Sequence, residues 1–363
     1  MARLGEVCIV NPKGKTLSDE LEVSFVPMQN VSEDGNIDIT ITKKYCDVKK
    51  GFTTFENGDI LFAKITPCME NGKGGIARHL KNGIGFGSTE FHVLRPDLEV
   101  VTSEWIYYLT TDPEFRKRCE KNMTGSAGQK RVPKSFLETY EFSLPSLNEQ
   151  RRIAAILDKV TSLIALRKQQ LALLDELVKA RFVEMFGDPV QNTKHFPTVK
   201  MGEACYLKAG ITTSADEIHD YSDKYSVPCY GGNGIRGYVK SHTYDGVFPI
   251  IGRQGALCGN VQLAAGKFHA TEHAVLVTPL KGQNSIWLYY LLKYFDLNRF
   301  QTGAAQPGLS VKALNAIDIM MPEIDAQNQF AQFSSQQNDT LLVIQYALDI
   351  LKSLRVKMFQ CFF

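Results

Sequence analysis

A chain of 363 residues exceeds the length at which one hydrophobic core usually keeps growing, so two or more domains are expected. With 44% hydrophobic and 22% charged residues, no apolar run near the ~18 residues of a membrane span, and an N-terminus (MARLGEVCIV) unlike a signal peptide, it reads as a globular, cytoplasmic protein that does not enter membranes. A net charge of +2, from 41 basic and 39 acidic residues, gives no bulk attraction for nucleic acid, and eight cysteines without CxxC or zinc-ligand spacing suggest reduced thiols and indicate neither disulfides nor metal.

Residues 1–146 hold 19 basic and 20 acidic residues, a net of −1. Short strand-forming runs such as Asp59-Ile-Leu-Phe-Ala-Lys64 and Glu90-Phe-His-Val-Leu94 alternate there with Gly, Asn and Pro. Trp105-Ile-Tyr-Tyr-Leu109 reads as a short helix packing its aromatics inward, as core and not as a stacking platform.

The texture then changes. From Gln150 to Phe186 there is no Gly or Pro, and Leu157, Ile164, Leu171, Val178 and Met185 recur every seven residues. Val160 and Leu174 fill the alternate seam, interrupted by Arg167 and Arg181. Asn148 or Ser146 can cap this helix and Gly187-Asp188-Pro189 ends it. At 1.5 Å per residue, 37 residues would span roughly 55 Å.

Residues 188–322, with 12 basic and 10 acidic residues (+2), repeat the first segment in order. Leu4-Gly5-Glu6 returns as Met201-Gly202-Glu203, and Phe86-Gly-Ser-Thr-Glu90 returns as Phe268-His-Ala-Thr-Glu272. Trp105-Ile-Tyr-Tyr-Leu109 returns as Trp287-Leu-Tyr-Tyr-Leu291, and Thr124-Gly125 as Thr302-Gly303. Leu144-Pro145 before Gln150 matches Met321-Pro322 before Gln327. Ala274-Val-Leu-Val277 is a further strand. A last helix, from about Gln327 to Phe359, repeats the 3-4 alternation at Leu341, Ile344, Leu348, Leu351, Arg355 and Met358. Two such stripes in one chain can bury each other as an antiparallel intramolecular coiled coil; alternatively each lies on its own globular domain.

Several constellations invite an enzymatic reading. His269-Ala-Thr-Glu272-His273 would make a metal hydrolase if helical, but the matching Gly87-Ser-Thr-Glu90-Phe91 lacks both histidines and the flanks favour a strand. Gly72-Lys-Gly-Gly75 and Gly231-Gly-Asn-Gly234 lack the phosphate-loop frame, and Asn11-Pro12 and Asp112-Pro113 lack the second Pro and aromatic of an adenine-methyltransferase motif. Catalysis in this chain is not expected. What remains are polar and basic residues in glycine-rich loops: Lys64, Lys73, Gln129, Lys130 and Arg131 in the first copy, and Asn233, Arg236, Arg253, Gln254 and Gln306 in the second. Arg, Lys, Asn and Gln are the side chains that pair with base edges and phosphates, so these ten are the candidate DNA-binding residues.

The chain resembles the specificity subunit of type I restriction-modification systems. The resemblance covers essentially all of it. It is carried by Leu4-Gly-Glu-Val7, by the run Asp59–Lys73, by Thr124-Gly-Ser-Ala-Gly-Gln-Lys-Arg-Val132 and by Pro145-Ser-Leu-Asn-Glu-Gln-Arg-Arg-Ile153. In the second half it is carried by Tyr230-Gly-Gly-Asn-Gly-Ile-Arg-Gly-Tyr238, Ile251-Gly-Arg-Gln-Gly-Ala256, Ala270-Thr-Glu-His-Ala274 and Thr302-Gly-Ala-Ala-Gln-Pro-Gly308. The resemblance implies an α+β (mixed) fold: a target-recognition domain at 1–146, a central connecting helix at 147–187, a second recognition domain at 188–322 and a distal connecting helix at 323–363. Each recognition domain would read half of a bipartite site in double-stranded DNA, with the helices as a ruler.

Such a subunit is non-catalytic and needs no cofactor. Its partners would be methyltransferase subunits, two of them, using S-adenosylmethionine, and restriction subunits using ATP and magnesium. The recognition subunit of a two-subunit type II system and a protein-interaction scaffold are the alternatives. The early start of the first recognition domain and the ending Cys361-Phe-Phe363 depart from many relatives and suggest a shortened or exchangeable specificity chain.

Overall fold

The computed structural model describes residues 1–363 except 127, 256–257 and 304–307. The chain forms two compact units, one of Met1–Leu166 with Leu348–Phe363 and one of Arg167–Ala347. Two long helices, Leu147–Phe186 and Ile324–Phe362, contribute to both. Among the described residues no helix is long and apolar enough to cross a membrane.

In the first unit, strands Cys8–Val10, Phe91–Pro96, Ile60–Ala63 and Gly74–Ile76 form one sheet in that spatial order. Thr42–Lys44, Glu22–Val26, Ile84–Gly87 and Thr53–Glu56 form another, and Ala2–Arg3 pairs with Glu141–Phe142. In the second unit a six-stranded sheet runs in the order Cys205–Ala209, Ala274–Pro279, Tyr244–Gly252, Val261–Ala270, Val227–Gly231, Gly234–Val239, and Thr198–Lys200 pairs with Asp318–Met320. The duplication is therefore visible as topology. Cys8–Val10, Phe91–Pro96 and Ile60–Ala63 stand in the same order as Cys205–Ala209, Ala274–Pro279 and Tyr244–Gly252, and each unit begins and ends in a two-stranded pair.

The aromatic helices are core, as the sequence suggests. In Ser103–Thr111, Trp105 is fully buried and its N–H is capped by the Thr102 side chain; in Ser285–Tyr294, Trp287 is fully buried and capped by Asn284. One buried glutamine ties each cap to a long helix. Gln150 accepts from Thr102 N–H (2.9 Å) and donates to the carbonyls of Val100 (3.0 Å) and Pro145 (2.9 Å). Gln327 accepts from Asn284 N–H (3.0 Å) and donates to the Pro322 carbonyl (2.9 Å). The repeated Pro and Gln of the sequence thus mark the joint between each domain and its helix.

The first long helix begins three residues before the predicted Gln150. Its cap is Ser146, not Asn148: the Ser146 carbonyl accepts from Gln150 N–H at 2.9 Å. It ends where Gly187 takes a left-handed φ of 73°, satisfying the Val183 carbonyl. The expected stripe is the inward one, with Leu157, Val160, Ile164 and Val178 buried. The polar breaks keep the pattern by lying along apolar surface: the Arg181 guanidinium sits 5.9 Å from the Phe333 ring centre while pairing with Glu184.

The second long helix begins at Ile324, ahead of the predicted Gln327, because Phe330 supplies a buried anchor that its polar first turns conceal. In the first unit the start of one long helix meets the end of the other, and in the second unit the end of the first meets the start of the second. Ile153, Ala154 and Leu157 share the first unit's core with Phe359, while Phe182 and Phe186 share the second unit's core with Phe330. Phe363 packs on Trp105 with ring centres 4.4 Å apart.

Candidate nucleic-acid interface

In the first unit, strand Ile60–Ala63 runs out at Lys64, whose N–H donates to the Glu90 carbonyl (2.9 Å) and whose carbonyl accepts from Val132 N–H (2.9 Å). Thr66 N–H donates to the Lys130 carbonyl (3.0 Å), and Thr124 and Arg131 exchange two backbone hydrogen bonds (2.9 and 2.8 Å). The loops after Ala63 and after Met123 are thereby zipped together by backbone alone. This brings Lys64, Gln129, Lys130 and Arg131 to one end of the domain.

Their charges are not equivalent. Arg131 grips Glu90 with two parallel bonds of 2.9 and 2.8 Å, which hold the Glu90 carboxyl below its ordinary pKa and the guanidinium above its own. Lys64, half-buried, and Lys130, exposed, make no side-chain hydrogen bond or ion pair among the described residues. They are the cations left for a ligand. Lys73 lies at the far end of its loop, its ammonium donating to the Met28 carbonyl at 3.3 Å. Arg116, which the sequence does not single out, fixes that loop by donating to the carbonyls of Met69 and Gly72, and burial pushes its pKa down to about 10. Behind the zipper, His92 is buried, with Nε2 2.8 Å from the Val132 carbonyl and Nδ1 3.0 Å from the Asn11 amide nitrogen; burial lowers its pKa, so the ring is neutral.

The second unit builds the same zipper from other residues. Arg253 N–H donates to the His273 carbonyl (3.1 Å), the Arg253 carbonyl accepts from Leu309 N–H (2.9 Å), and Thr302 and Gly308 exchange bonds of 3.0 and 2.9 Å. Arg253 therefore takes the backbone place of Lys64, and Gly308 that of Arg131. A hairpin of Val227–Gly231 and Gly234–Val239 on the sheet edge adds the exposed Arg236, which folds over Gly231 so closely that a Cβ there would meet its Cδ at 2.4 Å. Asn233, Arg236 and Gln254 line one depression together with His273.

Asn233 is oriented by Asn260, which donates to its side-chain oxygen at 2.6 Å. Arg253 is half-buried and its Nε is buried without a hydrogen-bond partner among the described residues. Gln306 lies outside the described residues. Glu90 and Glu272 are site residues outside the ten candidates; the Thr-Glu pair common to both copies served in the sequence to align them and, at Glu272, entered the metal reading only.

The metal-hydrolase alternative does not match this geometry. Thr213 gives its single hydroxyl proton to the Ile211 carbonyl (2.8 Å), so at 2.8 Å from His269 Nε2 it accepts, and Thr243, 3.2 Å from Nδ1, donates. Both nitrogens of the buried His269 ring are occupied, and burial keeps it neutral by lowering its pKa. His273 faces Glu272 and Gln254 instead. Among the described residues no cluster of three or more His, Cys, Asp or Glu side chains is placed to hold a metal ion.

Known proteins supply an independent comparison. The chain is 46% identical over 175 residues to the type I restriction enzyme EcoAI specificity subunit of Escherichia coli, a match covering 47% of this chain and 30% of that protein. It is 38% identical over 194 residues to the EcoprrI specificity subunit of Escherichia coli, covering 50% and 46%. The chain thus spans less than half the length of these relatives. In fold it is similar to the S subunit of a type I restriction-modification system from M. genitalium, with a TM-score of 0.67 at 17% identity over 100% of this chain and 95% of that one.

A further structure, described as the basis of complex assembly and conformational transition of the type I R-M system, gives a TM-score of 0.56 at 18% identity over 99% and 96%. The family profile described as type I restriction modification DNA specificity domain matches residues 1–176 and again 194–345. With both copies of the repeat matched and most of the chain covered, this protein belongs to the type I restriction modification DNA specificity domain family.

Proposed function

We propose that this chain is the non-catalytic, DNA-reading specificity subunit of a type I restriction-modification assembly, each recognition domain reading one half of a bipartite target in double-stranded DNA. The observation that carries the reading is the twice-built loop zipper, which offers Lys64, Gln129 and Lys130 in one domain and Arg253 and Gln254, beside Asn233 and Arg236 of the edge hairpin, in the other. An invariant backbone frame with exchanged donors and acceptors is what two different half-sites require. The partners are two methyltransferase subunits and restriction subunits, which would supply S-adenosylmethionine, ATP and magnesium; this chain itself needs no cofactor.

Methylation-site sequencing of DNA from cells expressing the chain with its methyltransferase subunits, against cells lacking only this chain, tests it. A two-part adenine-methylated motif that depends on the chain is expected. No motif with a competent methyltransferase would overturn the reading.

A further inference from the structure

The second recognition domain holds a relay that the first lacks. Thr213 N–H donates to Glu272 Oε2 (3.2 Å), Glu272 Oε1 lies 3.1 Å from His273 Nε2, and His273 Nδ1 lies 2.7 Å from the side-chain oxygen of Gln254. Gln254 is exposed in the polar depression that Asn233 and Arg236 also line. In the first domain Glu90 stands at the backbone place of His273 and Ile65 at that of Gln254.

The proton count on the imidazole decides which end of the amide faces out. With both ring nitrogens protonated, Nε2–H meets Glu272 and Nδ1–H meets the Gln254 oxygen, so the amide NH2 points outward as a donor. With one proton, the acceptor-only carboxylate keeps it on Nε2. Nδ1 then needs a donor, which Gln254 supplies by turning its NH2 inward and its oxygen outward. The two amide orientations fill nearly the same space.

We infer that His273, held by Glu272, is a positioning residue that sets whether Gln254 donates to or accepts from one base of the second half-site. Resting on the DNA-reading proposal, this assigns the donor orientation to guanine or thymine, which offer acceptors in the major groove, and the acceptor orientation to the amino groups of adenine or cytosine. The ring has charged groups of both signs around it. They are Glu272 on one side, Arg236 across the depression and Arg253 next to Gln254 in the chain.

The test is in vitro methylation of a randomised target library by the full chain with its methyltransferase subunits, at about pH 6 and about pH 8.5, on either side of the ordinary histidine range. Gln254→Ala should relax one position of the second half-site by about tenfold. His273→Ala and Glu272→Gln should alter preference at that same position and remove its dependence on pH, while the first half-site, unchanged, reports an intact fold. If His273→Ala leaves the wild-type preference, and its pH dependence, at the position Gln254→Ala relaxes, the relay has no role. The relay is equally overturned if Gln254→Ala relaxes no position. A wild-type complex that yields no motif at all removes the DNA-reading proposal itself, a different failure.

Discussion

The two copies of the specificity domain share a backbone and differ in what hangs on it. Both end a central strand in a cation, Lys64 or Arg253, and both close the following loop against a Thr-Gly segment through equivalent main-chain bonds. In the first domain the glutamate beside that joint, Glu90, is taken up by Arg131; in the second, Gly308 occupies the Arg131 position and Glu272 turns to Thr213 and His273. A frame held by main-chain bonds tolerates exchange of nearly every side chain it displays. Specificity can then change in one domain without refolding either.

If the scaffold is common, damage to it should cost the two domains alike. Trp105→Ala and Trp287→Ala each remove a fully buried ring from the same point of the repeat, and each should destabilise its domain by about 4 kcal/mol in denaturant unfolding followed by domain-specific hydrogen exchange. Losses differing by more than half of that value would break the equivalence. A finer comparison uses the joints. Gln150→Ala should lose about 3 kcal/mol and Gln327→Ala about 2 kcal/mol, since Gln150 satisfies one more main-chain carbonyl than Gln327 does. The reverse order would mean that the joints are not built alike.

Much of this architecture is legible in the sequence because it is written in periodicity and repetition. The seven-residue stripe from Leu157 to Met185 and the two Trp-containing helices follow from spacing alone, and the helix starts differ by three residues only because Ser146 and Phe330 act through contacts the local sequence does not reveal. The site is less legible. Lys64, Gln129, Lys130 and Arg131 do converge, but nothing in a linear sequence indicates that Arg131 is neutralised by a glutamate 41 positions away, or that Lys73 turns to a backbone carbonyl. Arg116 escapes notice because it sits on a helix, and His273, noticed, is read only as a strand residue or a metal ligand.

The cations sharpen the contrast at the level of binding. Arg236→Ala should weaken selection at the second half-site by about tenfold in the library assay and leave the first unchanged, because this exposed guanidinium makes no hydrogen bond or ion pair among the described residues. Lys130→Ala should do the converse, with a smaller loss if it meets phosphate, and would then lower affinity for all sequences together. A variant of either domain that shifts both half-sites would contradict the separation of the two readers.

Acid should distinguish the domains least in kind and most in range. His92 in the first and His269 in the second are both buried, and burial lowers both pKa values below that of a free imidazole. In the unfolded chain these rings take up protons as the pH drops through about 6.5, whereas in the fold they stay neutral. The unfolded state then binds more protons, so stability is fully present above that range and declines as pH falls through it. Glu90 adds a later step in the first domain, chiefly through its bonds to Arg131: its carboxyl is held below its ordinary value of 4.5, so the pair's contribution is fully present above that value and is lost progressively as pH falls from there through the lower folded value. Domain-resolved hydrogen exchange between about pH 7 and pH 3 should therefore show both domains loosening first. His92→Gln should flatten the early slope in the first domain, His269→Gln should flatten it in the second, and Glu90→Gln should remove only the late one. An early slope that survives both histidine substitutions would place the proton uptake elsewhere and separate the two domains in a way their shared frame does not explain.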